Sequence, residues 1–306
     1  MSKYHEPMLL HPSRLFSSVG TCGTNASEDV KNIQKMMLDA GYQQATGRHL
    51  RINGQCGQQT IEAIRWYQRL LNMHPSGLVH PVDSAFMVAL ENAAPGWRPR
   101  HQHGPLRVME GQITFDAEGA DYVTAVAPFR QHRTPYFSRI LHWPTDVSSG
   151  VTLGRGYDMG NRSTGEVFAT LRGAGLEEYK ARLCSRATGL KGRLAGKFVK
   201  VYGPLVGEIT HQQQIRLFEI AYREKLEYTR GVYSRVSRRI PDAPAWQSFE
   251  QRIRDVLVDI FFQGVENAEA LFRAAIKGKS ALIELIRASS IYMSYESNRK
   301  RLRYLK

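Results

Sequence analysis

Ser149-Gly150-Val151-Thr152-Leu153-Gly154-Arg155-Gly156-Tyr157-Asp158-Met159-Gly160 is the stretch on which the reading of this chain turns. Val151 and Leu153 alternate with Thr152, the period of a short strand. Gly150, Gly154, Gly156 and Gly160 permit tight bends and a close approach of backbone to a ligand. A hydroxyl, Thr152, and a carboxylate, Asp158, stand on one turn, and Glu118 lies upstream just before Gly119. The run predicts a β-hairpin at a site. It is not a dinucleotide loop: its spacing is Gly-x-Gly-x-x-x-Gly, and no apolar strand–helix–strand pattern follows. No Gly-Lys-Ser/Thr phosphate loop is present either.

The 306 residues suffice for two domains with full cores. Hydrophobic residues make up 42%, ordinary for a globular chain, and no apolar run is long enough to span a bilayer. Met1 to Ser18 has no continuous apolar run and does not read as a secretory signal. The net charge of +14 is uneven, with 8 Lys+Arg against 7 Asp+Glu over residues 1–96 and 34 against 21 over the remainder. The C-terminal part therefore carries a basic field that favours polyanions, nucleic acid or an anionic wall polymer. The tail Arg299-Lys300-Arg301-x-Arg303 lacks a nucleic-acid reading motif, so nucleic acid is not the expected partner.

Cys22, Cys56 and Cys184 form no C-x-x-C pair, which argues against structural zinc. His101 and His103 sit in a polar Pro/Gly-rich stretch and read as solvated. No metal or cofactor is expected. Cys22 and Cys56 both lie in Gly-rich turns, where a disulfide between them and two buried free thiols are the alternatives. Cys184 reads as a small core residue.

Residues 17–94 read as a small unit of three helices. Asn25 or Ser27 caps the first, with Val30, Ile33, Met36 and Met37 on its apolar face. The second starts near Thr60, and the third spans about Asp83 to Asn92. Residues 95–111 read as a linker. From 112 to 306, Ile113-Thr114-Phe115 is expected as a short strand before Glu118, followed by the hairpin and then helices. Ser163-x-x-Glu166 and Thr210-x-x-Gln213 are capping boxes that open two of them. Arg254 to Gln263 is apolar nearly all round and is expected as a buried helix. Two final helices are expected over about Asn267–Ile276 and Ser280–Arg287.

The order Asp29-Val30-x-x-Ile33-Gln34, Gly41-Tyr42, Asn53-Gly54-x-Cys56-Gly57-x-x-Thr60, Ala63-Ile64, Tyr67-Gln68 and Gly77-x-Val79 resembles the peptidoglycan-binding module of cell-wall hydrolases. The resemblance implies wall binding through Asn53, Gly54, Gly57, Thr60 and Gln68, although the same residues can equally serve only to fold the module.

The chemistry of glycan hydrolysis needs a proton donor at the leaving oxygen and a second group that activates water or stabilises positive charge on the sugar. Glu118 suits the first role. Asp158 and Asp146 suit the second, and the Thr152 hydroxyl can hold a water. Tyr136, Trp143 and Tyr157 can stack on sugar rings. Each also has a plain reading: a surface carboxylate or a helix cap for Glu118, a hairpin brace through Arg155 or Arg162 for Asp158, a turn residue for Asp146 and a packed or hydrogen-bonding histidine for His142.

Glu118-Gly119, Tyr136-Phe137-Ser138-Arg139, His142-Trp143-Pro144 and the hairpin look like the pesticin-type lysozyme domain of bacteriocins, phage lysins and type VI secretion spike extensions. That family is similar to phage lysozyme. The resemblance implies a lysozyme-like α+β catalytic domain, mainly α with a small β-hairpin lobe, behind a three-helix peptidoglycan-binding domain. It implies Glu118 as acid, Thr152 as the hairpin threonine and Asp158, six residues on, as second carboxylate. Phage lysozymes carry that carboxylate six residues before the threonine, here Asp146. Tyr136, His142, Trp143, Arg155, Tyr157 and Gln213 are expected around the substrate.

The expected activity is a muramidase cleaving the β-1,4 bond between N-acetylmuramic acid and N-acetylglucosamine. The expected setting is an effector acting in a target cell's periplasm, with a secretion-apparatus component and a cognate immunity protein as partners, or a phage endolysin acting in its host. A non-catalytic wall-binding protein, a lytic transglycosylase and a chitosanase are the alternatives.

Overall fold

The computed structural model describes residues 15–71, 73–91, 106–119, 138–144, 148–264 and 267–306. Within them the chain is mainly helical, with two small antiparallel strand pairs.

In the N-terminal unit, α1 (Ser27–Asp39), α2 (Tyr42–Thr46), α3 (Gln58–Leu70) and α4 (Ser84–Glu91) enclose Val30, Ile33, Met37, Ile64, Tyr67 and Phe86. β1 (Val19–Gly20) pairs antiparallel with β2 (Leu78–Val79). The expected caps of α1 are corrected. Its N-cap is Ala26, with no side-chain bond, and Ser27 is already helical. Asn25, at φ 57°, instead closes the preceding turn through Gly20 N at 2.7 Å and the Gly20 and Gly23 carbonyls. Cys22 and Cys56 are free thiols, the first exposed and the second half-buried, so neither the disulfide nor a pair of buried thiols is formed. Cys184 is fully buried in the core, as expected.

Two buried glutamines hold the loops of this unit. Gln34 donates to Asn53 Oδ1, Gln55 O and Thr60 Oγ1, and accepts from the Asn53 and Gly54 N–H groups at 2.9 and 3.0 Å. Gln68 repeats the device, donating to Ser76 Oγ and Leu78 O and accepting from Gly77 N. One amide supplies both donors and an acceptor, so a single side chain satisfies a whole turn of buried backbone.

The C-terminal unit begins with α5 (Gln112–Ala117), then β3 (Thr152–Leu153) and β4 (Tyr157–Asp158), paired antiparallel. There follow α6 (Thr164–Gly173), α7 (Glu178–Ser185), α8 (Arg193–Val206), α9 (His211–Ser237) and α10 (Gln251–Gln263). α11 (Ala268–Ile276), α12 (Lys279–Ala288), α13 (Ser290–Arg299) and α14 (Arg301–Leu305) complete it. Both capping boxes form as the sequence predicts. The expected strand at Ile113–Phe115 is corrected to helix α5. A three-residue apolar run has no readable period, and Gly111 at φ 72° turns the chain into a helix against the Tyr222 ring.

α9 is the spine of this unit. Leu217 and Ala221 enter a core with Leu153, Tyr157 and Leu171, while Phe218 and Tyr222 enter another with Val256, Ile260 and Phe272. α10 is buried nearly all round, as its composition requires, yet it also buries Asp255 and Asp259.

The Gln34→Ala variant should lower the stability of the N-terminal unit by roughly 1–3 kcal/mol, because it orphans the buried Gly54 N–H and releases the part-buried Asn53 N–H. Gln58→Ala, at an exposed position, should shift it by less than about 0.5 kcal/mol. Thermal unfolding followed by circular dichroism compares the two, and equal effects would contradict the bracing role of Gln34.

Candidate active site

The hairpin is where spacing becomes geometry. Its register pairs Thr152 with Asp158 and Leu153 with Tyr157, leaving Gly154-Arg155-Gly156 as a three-residue turn. Six residues of separation therefore places Thr152 and Asp158 directly opposite on one face. Asp158 is fixed by backbone donors, Gly150 N to Oδ2 at 2.9 Å and Gly160 N to Oδ1 at 2.6 Å. A Cβ on Gly150 would stand 2.3 Å from Asp158 Oδ1, so that glycine is what admits the carboxylate. The expected brace through Arg155 or Arg162 is corrected: the carboxylate is held by backbone, and Arg162 reaches only the Asp158 carbonyl.

Glu118 ends α5 and faces the hairpin. Gly156, at φ 81°, leaves room for it; a Cβ there would meet Glu118 Oε2 at 2.8 Å and the Phe262 ring at 2.6 Å. Arg155 ties the turn to α5. Its guanidinium donates to Phe115 O at 2.6 Å and Gly119 O at 3.4 Å, and lies over the Phe115 ring.

A cleft of about 430 Å³ opens between the hairpin and the helices. His142, Pro144, Ser149, Thr152, Gly156 and Asp158 form its hairpin side, and Phe262, Gln263, Asn298 and Arg299 its helical side. Glu118 sits between, with a side chain only 15% exposed. Its Oε1 accepts from Arg299, which also donates to Asp259 at 2.8 Å; Asp259 in turn accepts from Arg301 at 2.6 Å. Burial pushes the Glu118 carboxyl above its ordinary range, while Arg299 and Arg301 hold it back. Burial pushes the His142 imidazole below its ordinary range, against the opposing pull of the Ile140 carbonyl and Asp158. Nδ1 of His142 lies 3.0 Å from Ile140 O, which can only accept, so Nδ1 carries the hydrogen.

The structure thus brings Glu118, Thr152, Asp158 and His142 together. It removes several expected sugar contacts. Tyr157 is 0% exposed, with Arg162 over its ring. Arg155 is buried in the bonds just given. Gln213 completes the α9 capping box and donates to Gly175 O. Trp143 lies against Gly196 of α8, outside the cleft lining. In the N-terminal unit Asn53, Gly54, Thr60 and Gln68 belong to the glutamine-braced loops, and Gly57 is the exposed N-cap of α3. Tyr136, Asp146, His101 and His103 lie outside the described residues.

Arg299, Asp259, Phe262 and Gln263 were not legible as site residues. The only sequence signal is Asp259 itself, an acid between Val258 and Ile260 in an apolar helix that calls for a cationic partner. Among the described residues no group of three His, Cys, Asp or Glu is placed to hold a metal, and no helix is long and apolar enough to cross a membrane.

The fold and cleft are those of a two-part chain, a small binding unit joined to a larger helical unit with a hairpin-walled cleft. The chain belongs to the family described as “Domain of unknown function (DUF8812)”, whose model matches residues 111–280. The model of the “Putative peptidoglycan binding domain” family matches residues 26–81, which identifies the N-terminal unit as a peptidoglycan-binding module and associates the protein with the cell wall. No curated protein matches the chain.

Replacing Arg299 by Gln removes the nearest cation from a carboxyl that burial already disfavours as an anion. The Glu118 pKa should rise further in that variant, read by carbon-13 NMR titration of the labelled side chain. A fall, or no movement, would show that Arg299 does not set it.

Proposed function

We propose that the C-terminal unit is a muramidase that hydrolyses the glycan of the wall to which the N-terminal module binds. The observation that carries this reading is Glu118, nearly enclosed at the base of a cleft, with Thr152 and Asp158 paired on the facing hairpin. Burial raises the Glu118 carboxyl above its ordinary range, the direction that suits a general acid. Glu118 gives that proton to the glycosidic oxygen as the bond to N-acetylmuramic acid breaks. Asp158 lies across the cleft to stabilise the positive charge developing on the sugar or to activate water, and the Thr152 hydroxyl positions that water. Water's hydroxyl ends on the anomeric carbon, its remaining proton restores Glu118, and N-acetylglucosamine leaves with its hydroxyl.

The place of action is the periplasmic wall, reached through a secretion apparatus, with an immunity protein guarding the producer, or through a phage-made lesion. Support for this setting comes from the sequence resemblance and from the wall-binding module.

Glu118→Gln should lose about 10²–10⁴-fold in glycan cleavage while sedimenting with purified sacculi as wild type does. Asp158→Asn and Thr152→Ala should also lose rate, and the wild-type products should carry reducing-end muramic acid by mass analysis. A wild-type protein that binds sacculi but releases no glycan fragments would make the cleft a binding site. A 1,6-anhydro product would make the enzyme a transglycosylase.

A further inference from the structure

A second surface borders this cleft. Between Glu178 and Glu208 the chain has no Asp or Glu but seven cations: Lys180, Arg182, Arg186, Lys191, Arg193, Lys197 and Lys200. The last four cluster on and just before α8. Arg193, Lys197 and Lys200 follow i, i+4, i+7 spacing and so stand in one row along the helix. All three and Lys191 are exposed, and none makes an ion pair or side-chain hydrogen bond with any described residue. Exposed Arg182 and Arg273, by contrast, are paired with Glu178 and Glu269. Beside the row, Leu194 and Val201 are 58% and 61% exposed.

The position of the row gives it meaning. Gly192 N donates to Ser149 O at 3.0 Å, and Lys191 bridges to Gly150, so the start of α8 is joined to the hairpin at the cleft wall. Trp143 sits on Gly196, one turn along. On the other side, α4 of the peptidoglycan-binding module packs against α8. A helix of this length is about 21 Å long, so one cationic row begins at the cleft on an element that also meets the wall-binding module.

We infer that α8 is a subsite for the peptide side branches of the wall glycan. Arg193, Lys197 and Lys200 pair with the branch carboxylates, and Leu194 and Val201 cover the branch methyl groups. The inference rests on the reading of the adjoining cleft as a glycan site. The charge fits it: a row of cations with no partner among the described residues costs self-repulsion and is relieved by an anionic chain laid along it. A glycan strand alone offers sugars that are mostly uncharged, whereas its peptide branches carry the negative charge.

The test uses the full chain and two substrates, sacculi with intact peptide branches and the same strands stripped of them by an amidase. Wild type is compared with the triple variant Arg193→Gln, Lys197→Gln, Lys200→Gln. On intact sacculi the variant should bind and cleave about tenfold less well, the sum of three modest exposed charge contacts. On stripped strands it should match wild type. Added salt should depress wild-type binding more on the branched wall than on stripped strands, which keep only the lactyl carboxylate that the amidase frees on each muramic acid. Equal loss on both substrates, or no loss on either, overturns the proposal. Anionic phospholipid vesicles form a third arm: a variant that loses vesicle binding and keeps sacculus binding assigns the row to lipid and overturns it as well. Sedimentation is scored apart from cleavage. A wild type that cleaves neither substrate refutes the muramidase reading, while sedimentation with branched and stripped strands still decides α8.

Discussion

A carboxylate in a nearly dry cleft needs a counter-charge, and the rest of the C-terminal unit is arranged around supplying it. Arg299 bridges Glu118 and Asp259, and Arg301 takes the second Asp259 oxygen with its own side chain fully buried. With Glu118 ionised, two acids against two guanidiniums leave no net charge in the cluster, which is the condition for such a group to persist away from water. The chain links α5 at one end of the unit to α10 in its centre and to the final helices. The packing of α13 and α14 is therefore tied to the state of one glutamate far earlier in the chain.

The hairpin meets the same acid from the other side by a different means. It brings space and rigidity rather than charge. Gly156 leaves out a side chain where Glu118 and Phe262 need room, and Arg155 reaches back to the backbone that carries Glu118. Asp158 is held by two backbone N–H groups of its own hairpin. One wall thus fixes the facing carboxylate by hydrogen bonds from backbone close to it in sequence. The other positions its acid by contacts between elements distant in sequence.

That division explains what could be read in advance. The hairpin, both capping boxes and the apolar α10 are local patterns, and local patterns survive in a sequence. Glu118, Thr152, Asp158 and His142 were found because the first three are tied to the hairpin or stand just before it, and His142 bridges to Thr152. α5 was misread because three apolar residues carry no period. Arg299 was missed because its bond to Glu118 spans 181 residues and its only trace is a charged residue inside an apolar helix. Arg155, Tyr157 and Gln213 were misassigned for a common reason: a polar or aromatic side chain in a sequence does not show whether backbone or a neighbouring ring already occupies it. In the N-terminal module Thr60 and Gln68 are likewise engaged by loop partners.

Ile140, which lies in the C-terminal part of the chain, packs into the core of the N-terminal module. Tyr67 of that module faces Arg139 and Glu208, a pair with both side chains wholly buried. A module joined in this way is not a float on a line but a fixed arm. Its grip on the wall sets the angle at which the cleft meets the glycan, and linker length no longer governs local concentration. Exchange of this module for another by gene fusion would leave Ile140 bare and an ion pair uncovered. The seam therefore resists the domain shuffling that a flexible join permits, and the two parts must vary together.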